Sequence, residues 1–283
     1  MKVIALDIGG TLLSDDNTIS SENISSLKKA KELGNKIVLV TAREYSSTKY
    51  ISNQIGCDYG VFSNGSHLLD INNLKSLKVS LLKKQAVLDI YNYCLKNNLY
   101  IHLNQEFCEV SNEMKYFNLK HHMLNETYPD NLKSNCYLIN DLYSYILDND
   151  FTKIVIVSED NMDVHLKNLE SILSKYNMSV TEYNKNLYEH IISKTINYIE
   201  IGAHNDTKAS GLLSLIEILG IPKSEVVVFG DGVNDKEMFL AFDNSVCMAN
   251  GIDELKSISS YVTKNDNNNS GVSEGISYYL KRR

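Results

Sequence analysis

The sequence predicts an α/β fold in which the two ends of the chain form one layered core and the middle forms an inserted α+β domain. Two observations carry this prediction. Short β-branched runs near both ends are apolar at every position, which is typical of parallel-sheet strands buried on both faces. The middle of the chain instead mixes short strands with amphipathic helices. Together they indicate a sheet covered by helices and interrupted by a second domain.

The N-terminal segment has the pattern of a βαβ unit. Residues 3–6 and 37–40 are the predicted strands. Between them, the apolar residues at helical spacing are Ile24, Leu27, Ala30 and Leu33. Ser20 or Ser21 is the expected cap at the start of this helix. Gly34 is its expected end, because glycine adopts the left-handed conformation that closes a helix.

The C-terminal part repeats this alternation. Residues 198–201 and 226–229 are predicted strands, and a helix is expected over about 207–219. Gly220 and Pro222 should end that helix. We therefore expect residues 1–81 and 193–283 to form the core.

Residues 82–192 are the predicted α+β insert, which we expect to lie as a cap over the core. Its predicted elements are a helix at 82–97, strands at 99–103 and 107–111, a helix at 113–125, a strand at 153–157 and a helix at 161–175. The sequence shows no internal repeat, and the asparagine-rich stretch at 265–269 is predicted to be a polar loop.

The composition narrows the class of function. A chain of 283 residues with 43% hydrophobic residues can bury a substantial core. Its net charge of -7 repels a phosphate backbone, so nucleic acid is not an expected partner. The 5 cysteines lie far apart without a CxxC pair, which is typical of a reducing compartment. The sequence contains neither the roughly 18 apolar residues of a membrane span nor a signal-peptide pattern, so we predict a cytoplasmic protein.

Polar motifs directly follow the predicted core strands. The motif DIGGT at 7–11 follows the first strand, TAR at 41–43 follows the second, and GDGVND at 230–235 follows the strand at 226–229. Lys208 opens the helix after the strand at 198–201. Ligands of open α/β sheets bind beyond the carboxyl ends of the strands, so we expect these motifs to converge.

The residue types in these motifs suit a phosphate site. Asp7 can attack phosphorus or bind a metal, and Asp231 adds a second hard carboxylate for Mg²⁺, which prefers oxygen ligands. Lys208 supplies a positive charge, and Thr41 supplies a hydroxyl beside backbone N–H groups. Each aspartate alone is more simply explained as a helix cap or a loop residue. The joint pattern favours the phosphate site.

The whole chain resembles the haloacid dehalogenase superfamily, specifically its Cof-type phosphatases of subfamily IIB. The motifs that carry the resemblance are DIGGT, TAR, SNG at 63–65, Lys208, GDGVND, MAN at 248–250 and the GV turn at 271–272. The resemblance implies a Rossmann-like parallel-sheet core with an inserted α+β cap. It also implies a Mg²⁺-dependent hydrolase that acts on a small phosphorylated metabolite.

The resemblance further implies roles at the reacting phosphate. Asp7 would be the nucleophile that forms an aspartyl-phosphate. Thr41 and Lys208 would hold the phosphate, and we expect Ala42 and Gly10 to contact it as well.

The metal ligands are implied in the same way. Asp7, Asp231 and the backbone carbonyl of Gly9 would bind Mg²⁺. Asn234 and Asp235 would support the metal indirectly or through water.

One residue departs from the family pattern, which is D-x-D-G-T. Gly9 stands where the second aspartate would protonate the leaving oxygen and then activate water. General acid–base catalysis contributes about 10² to 10⁴ in rate, so we expect metal and phosphate binding to survive while turnover of ordinary phosphate esters is weak. Asp15 and Asp16 are candidates for a replacement acid, although solvation of their loop is the simpler role.

Three other functions remain open at this point. The first is a non-catalytic member that binds a phosphorylated metabolite, which Gly9 favours. The second is an actin-like sugar kinase, since DIGGT also opens those proteins, but the sequence lacks their second glycine-rich loop. The third is transfer of the phosphoryl group to an acceptor other than water. Arg43 either faces the site or forms an ordinary salt bridge.

Overall fold

The structure of the protein is a computed structural model that describes residues 2–113, 129–187 and 196–281, with the backbone alone over 182–187. The chain divides into two compact units. The core unit comprises Met1–Arg43, Thr48–Lys78 and Thr207–Arg283. The second unit comprises Glu44–Ser47 and Val79–Asp206.

The described strands form two sheets. In chain order they are β1 (Val3–Leu6), β2 (Lys36–Val40), β3 (Tyr59–Phe62), β4 (His67–Asp70), β5 (Lys75–Val79), β6 (Tyr100–Asn104), β7 (Glu109–Ser111), β8 (Cys136–Leu138), β9 (Lys153–Ser158), β10 (Met178–Leu187), β11 (Ile196–Ala203), β12 (Val226–Gly230), β13 (Ser245–Cys247) and β14 (Tyr261–Val262). The first sheet has the order β14-β13-β12-β1-β2-β3-β4-β5, and the second has the order β10-β11-β9-β6-β7-β8.

The described helices flank these strands. They are α1 (Ser21–Glu32), α2 (Lys49–Ile55), α3 (Lys84–Lys96), α4 (Leu142–Asp148), α5 (Met162–Tyr176), α6 (Lys208–Ile218), α7 (Lys236–Ala241), α8 (Asp253–Ile258) and α9 (Gly271–Leu280). None of these helices combines the length and the hydropathy needed to cross a membrane.

The first sheet is parallel from β14 to β3 and turns antiparallel at β4. All four residues of β1 are fully buried, because neighbouring strands pair with it on both sides and helices cover both faces. Val3 pairs with Val226 of β12 and with Lys36 of β2. The predicted strands at 3–6, 37–40 and 226–229 are thus confirmed as neighbours at the centre of the sheet.

The helices of the core unit begin and end as the sequence predicts. The Ser20 hydroxyl caps α1 by accepting a hydrogen bond from Asn23 N, and Gly34 follows its end with a φ of +85°. Thr207 and Ser210 form a reciprocal capping box at the start of α6. Gly220, with a φ of +65°, follows the end of that helix.

The second unit has a mostly antiparallel sheet, in which only β7 and β8 are a parallel pair among the described strands. One face carries alternating apolar residues such as Ile101, Ile154 and Ile199, which join a core with residues of α3, α4 and α5. The opposite face carries Lys153 and Glu200, which are buried as well. The predicted α+β character of the insert is confirmed.

The structure corrects one strand and the boundary that depended on it. Residues 198–201 were expected in the core sheet, but they lie in β11, between β9 and β10 of the second sheet. The second unit therefore extends to Asp206, beyond the expected limit at 192. The physical reason is that a short apolar strand has the same sequence pattern in either sheet. The helix expected at 113–125 lies outside the described residues except for its first position.

Candidate active site

The site lies at the carboxyl ends of three adjacent strands of the core sheet. Leu6, the last residue of β1, pairs with Leu39 of β2 and with Phe229 of β12. The backbone N–H of Asp7 donates to the carbonyl of Phe229 at 3.1 Å, which extends the pairing by one residue. Because the strands run in the same direction, the loops that carry the predicted motifs emerge together at this edge.

A buried lysine joins two of the predicted residues. Lys208 Nζ donates to Asp7 Oδ1 at 2.6 Å and to Asp235 Oδ1 at 2.7 Å. Lys208 is the first residue of α6 and is only 2% exposed. A charge buried to this extent is stable only when it is paired, and two carboxylates provide the pairing here.

Asp235 fixes the loop that carries Asp231. While its Oδ1 binds Lys208, its Oδ2 accepts hydrogen bonds from the backbone N–H groups of Asp231 and Gly232, at 3.0 and 3.1 Å. Both carboxylate oxygens are therefore already engaged. This arrangement leaves Asp235 to orient the loop and Lys208.

Asp231 is positioned from the other side by the loop after β1. Its Oδ1 accepts a hydrogen bond from the Thr11 hydroxyl at 2.8 Å. Gly10 has a φ of +68°, and a Cβ at this position would lie 2.3 Å from Asp231 Oδ2. Gly10 is thus required both by its backbone conformation and by the close approach of a carboxylate.

Gly9 differs from its neighbour in both respects. Its φ of -76° and ψ of 130° are open to any residue. A Cβ built on it meets no atom within 4 Å. Backbone geometry therefore does not require a glycine at position 9.

Burial shapes the electrostatics of the carboxylates. Desolvation is the largest influence on Asp7, opposed by Lys208 and reinforced by Asp235, and together they raise the pKa of Asp7 to about 7. Burial also raises the pKa of Asp231 to about 6, although the Thr11 hydrogen bond opposes it. Burial by itself would lower the pKa of Lys208, but Asp235 and Asp7 outweigh it and raise that pKa, which keeps the lysine charged.

The donor set fits a hard divalent cation. Carboxylate oxygens of Asp7, Asp231 and Asp235 lie within 4.8 Å of one another. Lys208 and Thr11 engage only Oδ1 of Asp7 and of Asp231, so among the described residues Oδ2 of each takes no hydrogen bond. An all-oxygen cluster with free carboxylate oxygens is the kind of site that Mg²⁺ prefers.

The TAR segment is bound to the turn after β3. Thr41 N–H donates to the carbonyl of Val61, and the Thr41 hydroxyl accepts from Arg43 N–H at 3.2 Å. The Thr41 and Arg43 carbonyls accept from Asn64 N–H and Ser63 N–H, at 3.1 and 2.9 Å. The backbone N–H groups of Thr41 and Arg43 are thus engaged within the protein, whereas the Thr41 hydroxyl proton is still available to a ligand.

Arg43 contributes a buried nitrogen atom that is not yet paired. Its Nη1 is shielded from solvent and has no hydrogen-bond partner among the residues that the structure describes. The ordinary salt bridge considered for Arg43 is therefore not seen in this part of the chain. Asn234, in contrast, has an exposed side chain.

Sequence reasoning missed a set of amide contacts that hold the loop after β1. Asn250 Nδ2 donates to the Gly10 carbonyl at 2.8 Å, and its Oδ1 accepts from Asn267 N–H. Asn267 Nδ2 donates in turn to the carbonyl of Leu13 and to Asp15 Oδ1, both at 3.0 Å. The predicted polar loop at 265–269 is therefore a structural support. Only MAN at 248–250 hinted at this role.

Comparisons with known proteins show a family that matches nearly the whole chain. A sequence model of the family described as haloacid dehalogenase-like hydrolase matches residues 4–276. The Bacillus subtilis protein named 5-amino-6-(5-phospho-D-ribitylamino)uracil phosphatase YitU is 25% identical over 280 residues, which cover 99% of this chain and 96% of that protein.

Solved structures show the same fold. A haloacid dehalogenase-like hydrolase from Bacteroides thetaiotaomicron superposes with a TM-score of 0.81 at 22% identity, covering 98% of this chain and 99% of the other. The subclass IIB sugar phosphatase BT4131 superposes with a TM-score of 0.74 at 19% identity and covers 99% of each chain.

Proposed function

The chain belongs to the haloacid dehalogenase-like hydrolases of the Cof type, and on this basis we propose that it is a Mg²⁺-dependent phosphatase of a small phosphorylated metabolite whose turnover is limited by Gly9. The observation that carries the proposal is the convergence of Asp7, Lys208 and Asp231 at the carboxyl ends of adjacent strands. The family assignment gives no support to a sugar kinase.

Asp7 is the proposed nucleophile. Lys208 orients this carboxylate through its 2.6 Å contact to Oδ1, so that one carboxylate oxygen would attack phosphorus while the other contacts Mg²⁺. The same ammonium group can contact an equatorial phosphate oxygen as negative charge develops there. The Thr41 hydroxyl and the backbone at Ala42 and Gly10 are proposed to hold the remaining phosphate oxygens.

Asp7, Asp231 and the Gly9 carbonyl are the proposed protein ligands of Mg²⁺, with Asp235 orienting the loop and Asn234 supporting it. The metal would neutralise negative charge on the transferring phosphate. Arg43 Nη1 is proposed to bind an anionic group of the substrate, because a buried guanidinium nitrogen without a partner is stabilised by an anion.

Restoring the missing acid tests the limit on turnover. In Gly9→Asp we expect hydrolysis of an alkyl phosphate to rise by about 10²- to 10⁴-fold, because the new carboxyl can protonate the leaving oxygen. The substitution should fold normally, since the added Cβ meets no atom within 4 Å. Phosphate release with Mg²⁺ across a panel of phosphorylated metabolites measures this effect.

Gly9→Asn is the matched control, because it adds nearly the same volume without an ionisable carboxyl. A rise in Gly9→Asp that Gly9→Asn does not share supports the proposal. Equal rates in the native chain and in Gly9→Asp would show that position 9 does not limit turnover.

A non-catalytic, metabolite-binding function is the second candidate, and Gly9 is the observation that favours it. A binder would gain thermal stability from a phosphorylated ligand while releasing no phosphate over many hours. A slow phosphatase would release phosphate in proportion to time.

A further inference from the structure

We propose that the site accepts phosphoryl groups from donors whose leaving group departs without a proton, such as acyl phosphates, and that the phosphoryl group then persists on Asp7. This inference rests on the proposed function, because it needs Asp7 as the nucleophile. It adds the class of phosphoryl donor and the fate of the phosphoryl group. The protein would store that group or pass it to an acceptor, instead of hydrolysing its substrate as an ordinary phosphatase does.

Position 9 is the first step of the argument. Gly9 is exposed and has no side chain, and the space where a Cβ would lie is empty to 4 Å. No neighbouring described side chain has moved into this space to take the place of a carboxylate. The proton donor for a leaving group is therefore missing at this position.

The two aspartates considered as replacements, Asp15 and Asp16, accept hydrogen bonds from other residues. Asp15 Oδ1 and Oδ2 accept hydrogen bonds from the side-chain amides of Asn267 and Asn268, each at 3.0 Å, and Asp15 N–H donates to Asn268 Oδ1. Asp16 Oδ1 accepts from Thr18 Oγ1 at 2.7 Å. These bonds lower the pKa of both carboxyls, so neither holds a proton to donate at neutral pH.

The carboxylates inside the site are equally committed. Asp235 has both oxygens occupied by Lys208 and by backbone N–H groups. Asp231 accepts the Thr11 hydroxyl and faces the proposed metal position. The core unit thus retains the proposed nucleophile and phosphate site, while none of these four aspartates lies within 4 Å of the position that a Cβ at Gly9 would occupy.

The leaving group decides which donors can react. In attack on an acyl phosphate, a bond forms between an Asp7 oxygen and phosphorus while the bond from phosphorus to the acyl oxygen breaks. The electron pair stays on the departing carboxylate, whose conjugate acid has a pKa of about 4, so no proton is needed. An alkyl phosphate would instead release an alkoxide about as basic as hydroxide, which leaves readily only when a proton is supplied to it.

The second half-reaction has the opposite requirement. Hydrolysis of the aspartyl-phosphate needs water to attack phosphorus and to lose a proton, while the Asp7 carboxylate departs with the electron pair of its bond. With no base at position 9 to take that proton, this step lacks the factor of about 10² to 10⁴ that a positioned base provides. The phosphorylated form therefore accumulates.

The test uses the full chain with Mg²⁺ and radiolabelled acetyl phosphate as the probe. Native protein, Asp7→Asn, Gly9→Asp and Gly9→Asn are mixed with the donor, and label on the protein and free phosphate are followed after acid quenching. Circular dichroism checks that each variant is folded. After the donor is removed by rapid desalting, the loss of label gives the lifetime of the phosphorylated protein.

We expect label on the native chain, none on Asp7→Asn, and a lifetime in Gly9→Asp that is shorter by about 10² to 10⁴. Gly9→Asn should keep the long lifetime, because it adds bulk without a base. Release of the label by hydroxylamine would identify the bond as an acyl phosphate.

Two results would overturn the inference while leaving the proposed function intact. One is equally rapid loss of label from the native chain and from Gly9→Asp, which would mean that another group activates water. The other is hydrolysis of acetyl phosphate by Gly9→Asp with no label on the native chain, which would mean that position 9 acts in the attack itself. If no variant takes label or hydrolyses any phosphate, the proposed function fails as well.

Discussion

Both units of the protein bury a lysine in contact with a carboxylate, but in different places. In the core unit, Lys208 contacts Asp7 and Asp235 on loops that follow strand ends. In the second unit, Lys153 Nζ donates to Glu200 Oε2 at 2.8 Å, and both residues lie within the adjacent antiparallel strands β9 and β11. Burial is nearly complete in both cases, at 2% exposure for Lys208, 1% for Lys153 and 2% for Glu200.

The difference teaches that buried charge alone does not mark an active site. Removing either lysine would take a positive charge away from a buried carboxylate, so both contacts are important to folding. Among the described residues, only the cluster in the core unit adds a third carboxylate, Asp231, close enough to Asp7 and Asp235 for the three to hold a metal ion. Its position at the carboxyl ends of parallel strands is also the position where ligands bind.

Replacing each lysine gives the largest expected effect. Lys208→Met and Lys153→Met should each lower the free energy of unfolding by about 3–5 kcal/mol without metal, because buried carboxylates lose their cation. Mg²⁺ should restore part of the loss in Lys208→Met, since the ion replaces positive charge in the same cluster. Urea unfolding with and without Mg²⁺ measures both.

The comparison predicts that Mg²⁺ stabilises Lys208→Met by more than it stabilises the native chain. In Lys153→Met the stabilisation by Mg²⁺ should equal the native value. Equal stabilisation in all three proteins would mean that the metal does not share the Lys208 cluster.

The second-largest expected effect is on Mg²⁺ affinity, when one carboxylate is removed from each unit in turn. Mutating a residue that only supports a metal ligand typically weakens metal binding by roughly 10- to 100-fold. Asp231→Asn changes a proposed ligand itself, so it should weaken Mg²⁺ binding by more than this. Glu200→Gln should leave the affinity for Mg²⁺ at its native value, because Glu200 belongs to the other cluster. Isothermal titration with Mg²⁺ would detect both results, and a loss of affinity in Glu200→Gln would contradict the assignment.

The smallest expected effect is the pH dependence. Asp7 and Asp231 have pKa values raised from 3.8 to about 7 and about 6, so without metal the folded state holds their protons more tightly than the unfolded state. The free energy of unfolding of the metal-free protein should therefore fall as pH rises from about 4 to 7. Mg²⁺ binds the ionised forms of these carboxyls. The rise in melting temperature that Mg²⁺ causes should therefore be larger at pH 8 than at pH 5.5.

Glu44 of the second unit provides the control for this titration. Burial, reinforced by Glu109, raises the pKa of Glu44 to about 7, so it contributes to the same fall in stability. Glu44→Gln should flatten the pH dependence of the metal-free protein without changing the response to Mg²⁺. A changed response would mean that the two titrations are not independent.

The sequence predicted the parts of the site that follow clear strands. Asp7, Thr41 and Asp231 each come directly after an apolar run that is a core strand in the structure, and parallel pairing brings their loops to one edge. Lys208 was predicted because it opens a helix after the strand at 198–201; that strand lies in the second sheet, but the helix begins where expected and Lys208 contacts Asp7. Such features depend on residues that are neighbours in sequence, so they can be predicted without knowledge of the tertiary contacts.

The parts that could not be predicted depend on contacts between distant segments. Asn250 donates a hydrogen bond to the Gly10 carbonyl, and Asn267 donates one to the Leu13 carbonyl. No periodicity or fixed spacing in the sequence predicts either contact. The strand at 198–201 was assigned to the wrong sheet for a related reason. Its apolar pattern predicts a strand but does not identify the neighbours with which it pairs.

The order of strands in the core sheet also bears on synthesis. Val3 of β1 is translated well before its partner Val226 of β12, because the main segment of the second unit, Val79–Asp206, is made between them. At roughly 5–20 residues per second, β1 waits for some tens of seconds before β12 appears. The aspartate assigned to the chemistry is thus translated long before the lysine and the two carboxylates that surround it.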